Sequence, residues 1–377
     1  MRLVRAVCRI LFSLVFVCAG ILKIIDPVGT GLIVKEYLSI IHITAADFPA
    51  ICLGTALATL EFTTGICILI GLKMRLFAGI GMGLTLIFTA ITLYLAIYNP
   101  ISDCGCFGQA IHLTNWQTFK KNLILLVLVT FIFIGRKKAT NIASDPVQWV
   151  FVGLYAAFAV AVSVFSYIRL PQIDFTQYTV GADLSEHTES GAPEYETVFT
   201  YEKDGRRCEF SLENLPDSTW TFVDSETTAI GGSEAGSAPE IELPKKEGGL
   251  FIISIYDPAS VRPKLRKRID DFILKAEREG AEVHIFSTED RSDRKTLITL
   301  NRSNGGITYF YDSVVIEKWG SAALDEIDPG EISRKDPDVM VLQRRIHEQL
   351  FISILVLSVF ALAATLRMSC RIFVKNI

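Results

Sequence analysis

LFAGIGMGLTLIFTAITLYLAIY, Leu76 to Tyr98, decides the fold class: it runs for 23 residues without a charged side chain. A bilayer-spanning helix needs about 20 mostly apolar residues, because the hydrocarbon core is roughly 30 Å thick. Working outward, five more apolar runs stand beside it: Val7 to Ile25, Phe48 to Leu69, Phe119 to Ile134, Val147 to Ile168 and Leu350 to Leu366. The Phe119 run is the shortest and extends back to Trp116, an interfacial aromatic. Half of the 377 residues are hydrophobic and the mean hydropathy is +0.38, too apolar for a soluble protein of this length. The first run has a basic start, but no small-x-small site follows it, and Val17 precedes Cys18. It therefore reads as a retained helix rather than a signal peptide or lipoprotein leader.

The charges between the runs set the topology. Arg2, Arg5 and Arg9 precede the first span, and Lys73 and Arg75 fill the second connection. Arg136, Lys137 and Lys138 fill the fourth, and Arg367, Arg371 and Lys375 follow the last span. Basic clusters at every second boundary place both termini in the cytoplasm, with residues 171–347 on the other side of the membrane. Lys120 and Lys121 dissent, and near a helix end they snorkel to the headgroups. Residues 171–366 hold 35 acidic and 21 basic side chains, a net of −14; the remainder holds 16 basic and 6 acidic, a net of +10. An acidic outer region excludes nucleic acid as a partner, which needs a basic face.

Between the third and fourth spans lies Asp103-Cys104-Gly105-Cys106-Phe107-Gly108, a thiol pair at the outer membrane surface. A Cys-x-Cys disulfide closes a strained ring, and strain makes a disulfide more oxidising. Gly105 admits the backbone angles that such a ring demands. Asp103 beside Cys104 raises a thiol pKa, which argues against a highly reactive thiolate. Redox exchange therefore stands against a static disulfide or a tight turn with buried thiols. A metal site is disfavoured, because only His112 lies near and no second Cys/His pair completes it. Glu61 sits near the middle of the second span, where an ionisable group is costly and by default functional. Lys23, toward the outer end of the first span, is its expected partner, either in a register-fixing ion pair or in a proton- or quinone-linked role. Cys52, at the outer end of the second span, is a candidate electron relay to the Cys104 loop. Cys18 and Cys67 read as membrane-core thiols, Cys8 and Cys370 face the reducing side, and Gly79, Gly81 and Gly83 read as close-packing contacts.

After Leu170-Pro171 the chain turns polar. Residues 171–196 read as an extended linker. Thr197 to Tyr201, Cys208 to Leu212 and Thr219 to Val223 read as short strands, with an Asp204-Gly205 hairpin between the first two. Gly231 to Pro239 is a Gly/Ser/Ala-rich loop. Leu250 to Tyr256 then reads as a buried strand, Pro263 to Glu279 as an amphipathic helix, and Glu282 to Ser287 as a second strand parallel to the first. Thr308 to Asp312 and Val314 to Lys318 form a hairpin, with a short helix after it. That order resembles the thioredoxin-like fold. Asp257 to Val261 stands where that family has its cysteines and Ile307 where it has its cis-proline, so the resemblance implies a domain without thiol chemistry of its own.

A second resemblance covers residues 5–136. Gly20-Ile21-Leu22-Lys23 with Asp26-Pro27, Glu61 with Gly65 and Gly71, and the Cys104 loop are similar to the DoxX/MauE family of bacterial membrane proteins. The whole arrangement resembles the large DoxX-family proteins of Bacteroidetes. The family implies a four-helix bundle; MauE is linked to disulfide formation in methylamine dehydrogenase, and DoxX relatives to thiol or quinone redox. It implies Cys104 and Cys106 as redox candidates, and Lys23 and Glu61 as family-pattern positions.

The expected fold is thus an α-helical membrane protein with an extracytoplasmic α/β thioredoxin-like domain. Residues 1–140 form the DoxX/MauE-like four-helix unit and 141–170 the fifth transmembrane helix. Residues 171–240 are an extended or β linker region, 241–347 the thioredoxin-like domain, and 348–377 the sixth helix and cytoplasmic tail. The expected function is envelope thiol-disulfide or quinone-linked redox chemistry at Cys104 and Cys106, with Lys23, Glu61, Asp103 and Cys52 in support and a quinone as possible cofactor. The rival is a non-enzymatic scaffold or assembly factor. The bilayer is one partner, and an envelope protein held through residues 171–347 is another.

Overall fold

The computed structural model describes residues 2–101, 105–111, 113–138, 143–185, 194–203, 206–211, 220–230, 248–290 and 292–375. Among them, six helices are long and apolar enough to cross a membrane, as the sequence predicts. Five lie in the first half of the chain: α1 (Arg2–Ile25), α3 (Asp47–Ile70), α4 (Met74–Tyr98), α5 (Asn115–Gly135) and α6 (Asp145–Arg169). The connection expected to be a loop from Asp26 to Asp47 instead holds a further helix, α2 (Pro27–Ile40). At 14 residues it is too short to span, so a search for spans passes over it. Its start signal is nevertheless in the sequence, with Pro27 in the first turn and Asp26 as N-cap, whose carboxylate accepts from the Gly29 N–H at 2.8 Å.

The bundle core is built on α1 and α3, with Phe12, Phe62, Ile66, Ile68 and Leu72 fully buried and Tyr155 of α6 against them. Of the glycines singled out in the third span, Gly81 packs as expected, a Cβ there lying 3.2 Å from the Ile68 side chain, but the other two do not. A Cβ on Gly79 or Gly83 would meet nothing within 4 Å, because both face outward from α4. Gly20 and Gly65 do that work: a Cβ on Gly20 would lie 2.7 Å from the Phe62 backbone nitrogen, and one on Gly65 2.9 Å from that of Val17. Small residues let two backbones meet where lipid supplies no hydrophobic drive to association. Arg9 reaches across from α1 and donates to the Ile68 and Leu69 carbonyls at 3.2 and 3.1 Å, satisfying the C-terminus of α3.

Outside the bundle, β2 (Glu194–Lys203), β3 (Arg206–Ser211) and β4 (Thr221–Ile230) form an antiparallel sheet in the order β3-β2-β4. Lys203 pairs with Arg206, which leaves a two-residue connection between β2 and β3. Asp204 and Gly205 themselves lie outside the described residues, as does the Gly231 to Pro239 loop. The second sheet contains β5 (Gly249–Ile255), β6 (Glu282–Ser287), β7 (Gly306–Tyr311) and β8 (Val314–Trp319), in the order β6-β5-β7-β8. β5 and β6 run parallel, as expected, from Leu250 opposite Glu282 to Ile255 opposite Ser287. The connecting helix α7 (Pro263–Arg278) buries Ile269, Phe272 and Ala276 against β5 and β7. The β7–β8 hairpin turns at Asp312 and Ser313, with φ of 48° and 67°, the left-handed pair that a tight two-residue turn requires. Two further helices, α8 (Arg294–Leu300) and α9 (Pro329–Ser333), flank this sheet.

Residues 171–184 are more ordered than the linker expectation allows. Tyr178, Val180 and Leu184 are buried in a second core of this unit. The Gly181 N–H donates to the Val315 carbonyl at 2.7 Å and the Val315 N–H to the Ala182 carbonyl at 2.9 Å, so this segment covers the β8 edge. Asp174 adds a buried ion pair with Lys318 at 2.6 Å. Burial works to raise the Asp174 carboxyl, but Lys318 and Arg302 outweigh it and leave the group below its ordinary range. A depressed carboxylate contributes stability above about pH 4, and that stability is lost as pH falls through the folded-state value. Asp174→Asn should therefore lower thermal stability at neutral pH and flatten its acid limb below about pH 4.

The sixth apolar helix, α10 (Pro337–Lys375), begins well before the predicted Leu350. Its 39 residues span roughly 58 Å, more than the hydrocarbon core needs. The first turns belong to the outer unit, where Met340 is buried beneath the sheet.

Candidate functional site

A cavity of about 230 Å³ opens among α1, α2, α3, α4, α5 and the cysteine loop. Its wall is mostly aliphatic and aromatic, with a few polar groups turned into it, the composition of a small-molecule site. Lys23 and Glu61 face each other there, Nζ to Oε2 2.7 Å, with Glu61 only 4% exposed. The partner expected from the sequence is thus the partner found. From the opposite wall, Asn122 of α5 donates to the Thr92 hydroxyl at 3.1 Å and the Phe88 carbonyl at 3.3 Å, tying α5 to α4.

The mouth is formed by Gly105 and Cys106. Cys106 opens a short strand, β1 (Cys106–Gln109), and is half-buried. Gly105 has φ +59°, and a Cβ there would lie 2.3 Å from the Ile33 side chain of α2. Both facts exclude any residue with a side chain, which accounts for the glycine between the cysteines. The Gly108 N–H donates to the Gly105 carbonyl at 3.0 Å and closes a turn. The Lys121 ammonium stands 4.5 Å from the centroid of the Phe107 ring, which gives this lysine a place in the structure. Asn115 at the start of α5 donates to Asn99 and to the Ile101 carbonyl, both at 2.7 Å, and holds the base of the loop.

Cys106, Lys23 and Glu61 therefore line one cavity. Asp103 and Cys104 lie outside the described residues, as does His112. Cys52 is exposed and lines a different groove, of about 740 Å³, between α3, α4 and α6. Among the described residues no group of three His, Cys, Asp or Glu side chains is arranged to hold a metal ion.

Two site residues, Gln109 and Arg302, had no reading in the sequence, and Asp26 stood there only as part of a motif. The Arg302 Nε and Nη2 donate to Asp26 at 3.1 and 2.9 Å, and Nη2 also donates to the Gln109 side chain at the end of β1. Arg294 pairs with Asp47, and Lys295 pairs with Glu36 at 2.8 Å. Three bases at and just after α8 thus meet three acids of the membrane unit. Tyr256 lies in the same seat and donates to the Arg302 carbonyl at 3.3 Å; burial first, then Tyr167 and Asp47, push its hydroxyl up to about 12, so it stays a donor. The turn after β5 is tied to the loop before β7: Asn304 donates to the Asp257 carbonyl at 2.7 Å and accepts from its N–H at 3.1 Å.

Residues 1–135 match the family model described as methylamine utilisation protein MauE. Over that stretch the membrane unit is similar to the MauE family. The match covers α1 to α5 and includes the cysteine loop, Lys23 and Glu61, while α6, both outer sheets and α10 lie beyond it. A domain of unknown function (DUF8463) matches residues 195–231, the stretch that contains most of β2 and all of β3 and β4. No curated protein and no solved structure gives a match. The six candidate spans and this similarity agree on a multi-pass membrane protein.

Proposed function

We propose that this MauE-type protein handles thiol-disulfide exchange at the outer face of a bacterial inner membrane, with Cys104 and Cys106 as the exchanging pair. One observation carries the reading: Cys106 and the buried Lys23–Glu61 pair line the same cavity. In the proposed exchange a thiolate of an envelope protein attacks the Cys104–Cys106 disulfide, and a second thiol of that protein releases it as a disulfide. The reduced loop then passes two electrons and two protons to an acceptor, a quinone being the class that a lipid-facing site can reach, and the Lys23–Glu61 pair handles the protons. The alternating basic clusters support cytoplasmic termini and a periplasmic outer domain.

The outer domain is proposed to be a thioredoxin-like module that holds a partner. Its β6-β5-β7-β8 order, with one parallel and two antiparallel pairings, supports that fold. In place of a cysteine pair it has the Asp257–Asn304 hydrogen bonds, which favours binding over catalysis and keeps a second reading in view, an assembly scaffold with structural cysteines.

Trapping thiols in growing cells with a membrane-impermeant alkylating reagent separates the two. Exchange requires a mixture of thiol and disulfide at Cys104 and Cys106, and a mixed disulfide with another protein in a Cys104→Ser or Cys106→Ser variant. A pair that is fully oxidised whatever the supply of reductant would leave the scaffold reading standing.

A further inference from the structure

The seat of the outer domain reaches the cysteine loop itself. Arg302 lies just after α8, and its side chain is only 5% exposed. Each nitrogen of its guanidinium is committed: Nε and Nη2 to Asp26, Nη1 to the Ile298 carbonyl at 3.0 Å, and Nη2 also to Gln109. Asp26 caps α2, whose Ile33 fills the space beside Gly105, and Gln109 ends the strand that Cys106 begins. One rigid, planar group of the outer domain therefore grips both the helix behind the loop and the loop. Among the described residues none of the other cross-domain ion pairs, Arg294 with Asp47, Lys295 with Glu36 and Arg169 with Glu326, includes a residue of β1.

We infer that the outer domain governs the cysteine loop, with Arg302 as a positioning residue that holds Cys106 at the cavity mouth through Gln109. The inference rests on the proposed redox role for its importance, but not for its test. An outer domain that shifts when it engages a partner would withdraw Arg302 and free the loop, so partner binding and thiol exposure are coupled through a single side chain.

The experiment measures the rate at which an impermeant maleimide labels Cys106 in the full-length protein in its membrane. The background carries Cys52→Ala, Cys104→Ser and Cys208→Ser, so that Cys106 is the outer thiol that reacts. Gln109→Leu cuts the link to the loop while leaving Arg302 on Asp26, and Arg302→Met removes both contacts. Arg294→Met is the control, since it weakens the seat away from β1. Losing one hydrogen bond to a charged group corresponds to roughly a tenfold rise in the open population. Gln109→Leu and Arg302→Met should therefore label about tenfold faster than the background, and Arg294→Met at the background rate. Unchanged labelling of Gln109→Leu would overturn the inference, and so would an equal acceleration by Arg294→Met, because the loop would then respond to general loosening. Should Arg302→Met fail to accumulate, the other two variants decide. Labelling reads the position of the loop whether or not its thiols turn over, so a redox-inert pair would defeat the proposed function and leave this result in force.

Discussion

Replacing Lys23 with Met, or Glu61 with Leu, should each lower the stability of the membrane unit by roughly 3–5 kcal/mol, and replacing both should restore most of it. The two groups meet at 2.7 Å, and Glu61 is almost completely buried in the middle of a transmembrane helix. Either change takes from the remaining group the counter-charge it holds at 2.7 Å, in a region where water does not compensate the loss. Removing both takes away the desolvation cost together with the attraction, so the double variant needs only to fill the space. Thermal unfolding in detergent compares the stabilities, and the thiol-trapping assay compares function. A double variant that folds and still cycles its cysteines assigns the pair to structure; one that folds and is inert assigns it to the chemistry. If Glu61→Gln alone changes neither stability nor cycling, neither role holds.

Gly20→Val should destabilise the bundle by roughly 3 kcal/mol, at the upper end of what overpacking does, whereas Gly79→Val should change it by less than about 0.5 kcal/mol. Both positions lie inside membrane helices and both substitutions are chemically the same. The difference is what each Cβ would meet: the Phe62 backbone at 2.7 Å for Gly20, and nothing within 4 Å for Gly79. Backbone cannot rotate away as a side chain can, so α1 and α3 would have to separate along their shared core. Unfolding of the two variants side by side checks the contrast. Equal effects would mean that α1 and α3 do not pack as closely as the structure has them.

Much of this architecture is legible in the sequence, because the relevant signals are local. Leu76 to Tyr98 needs no neighbour to be recognised as a span, since length and apolarity suffice where every backbone polar group must be satisfied within the segment. The parallel β5–β6 pair is readable because a continuous β-branched run, an amphipathic helix and a stop at Gly280 follow one another directly. Gly105 is readable because a tight cysteine loop demands backbone angles that glycine alone adopts freely, and its φ of +59° is such an angle. The Lys23–Glu61 pair is readable for an energetic reason: in hydrocarbon a charge demands a partner, and few charges are at the right depth.

The rest was decided by tertiary structure. Hydropathy cannot tell Gly20 from Gly79, because both sit in apolar helices and only the neighbouring helix distinguishes them. α2 carries a start signal in Asp26-Pro27 yet passes unseen in a search for spans, since its stability comes from packing on its neighbours and not from its own length. The convergence of Cys106 with Lys23 and Glu61 on one cavity depends on how five helices close around it. The grip of Arg302 on Asp26 joins residues 276 positions apart, and nothing in the local pattern around either one marks it. Periodicity and apolarity fix which segments form and which faces they bury; charge complementarity between surfaces far apart in the chain appears only once those segments have been brought together.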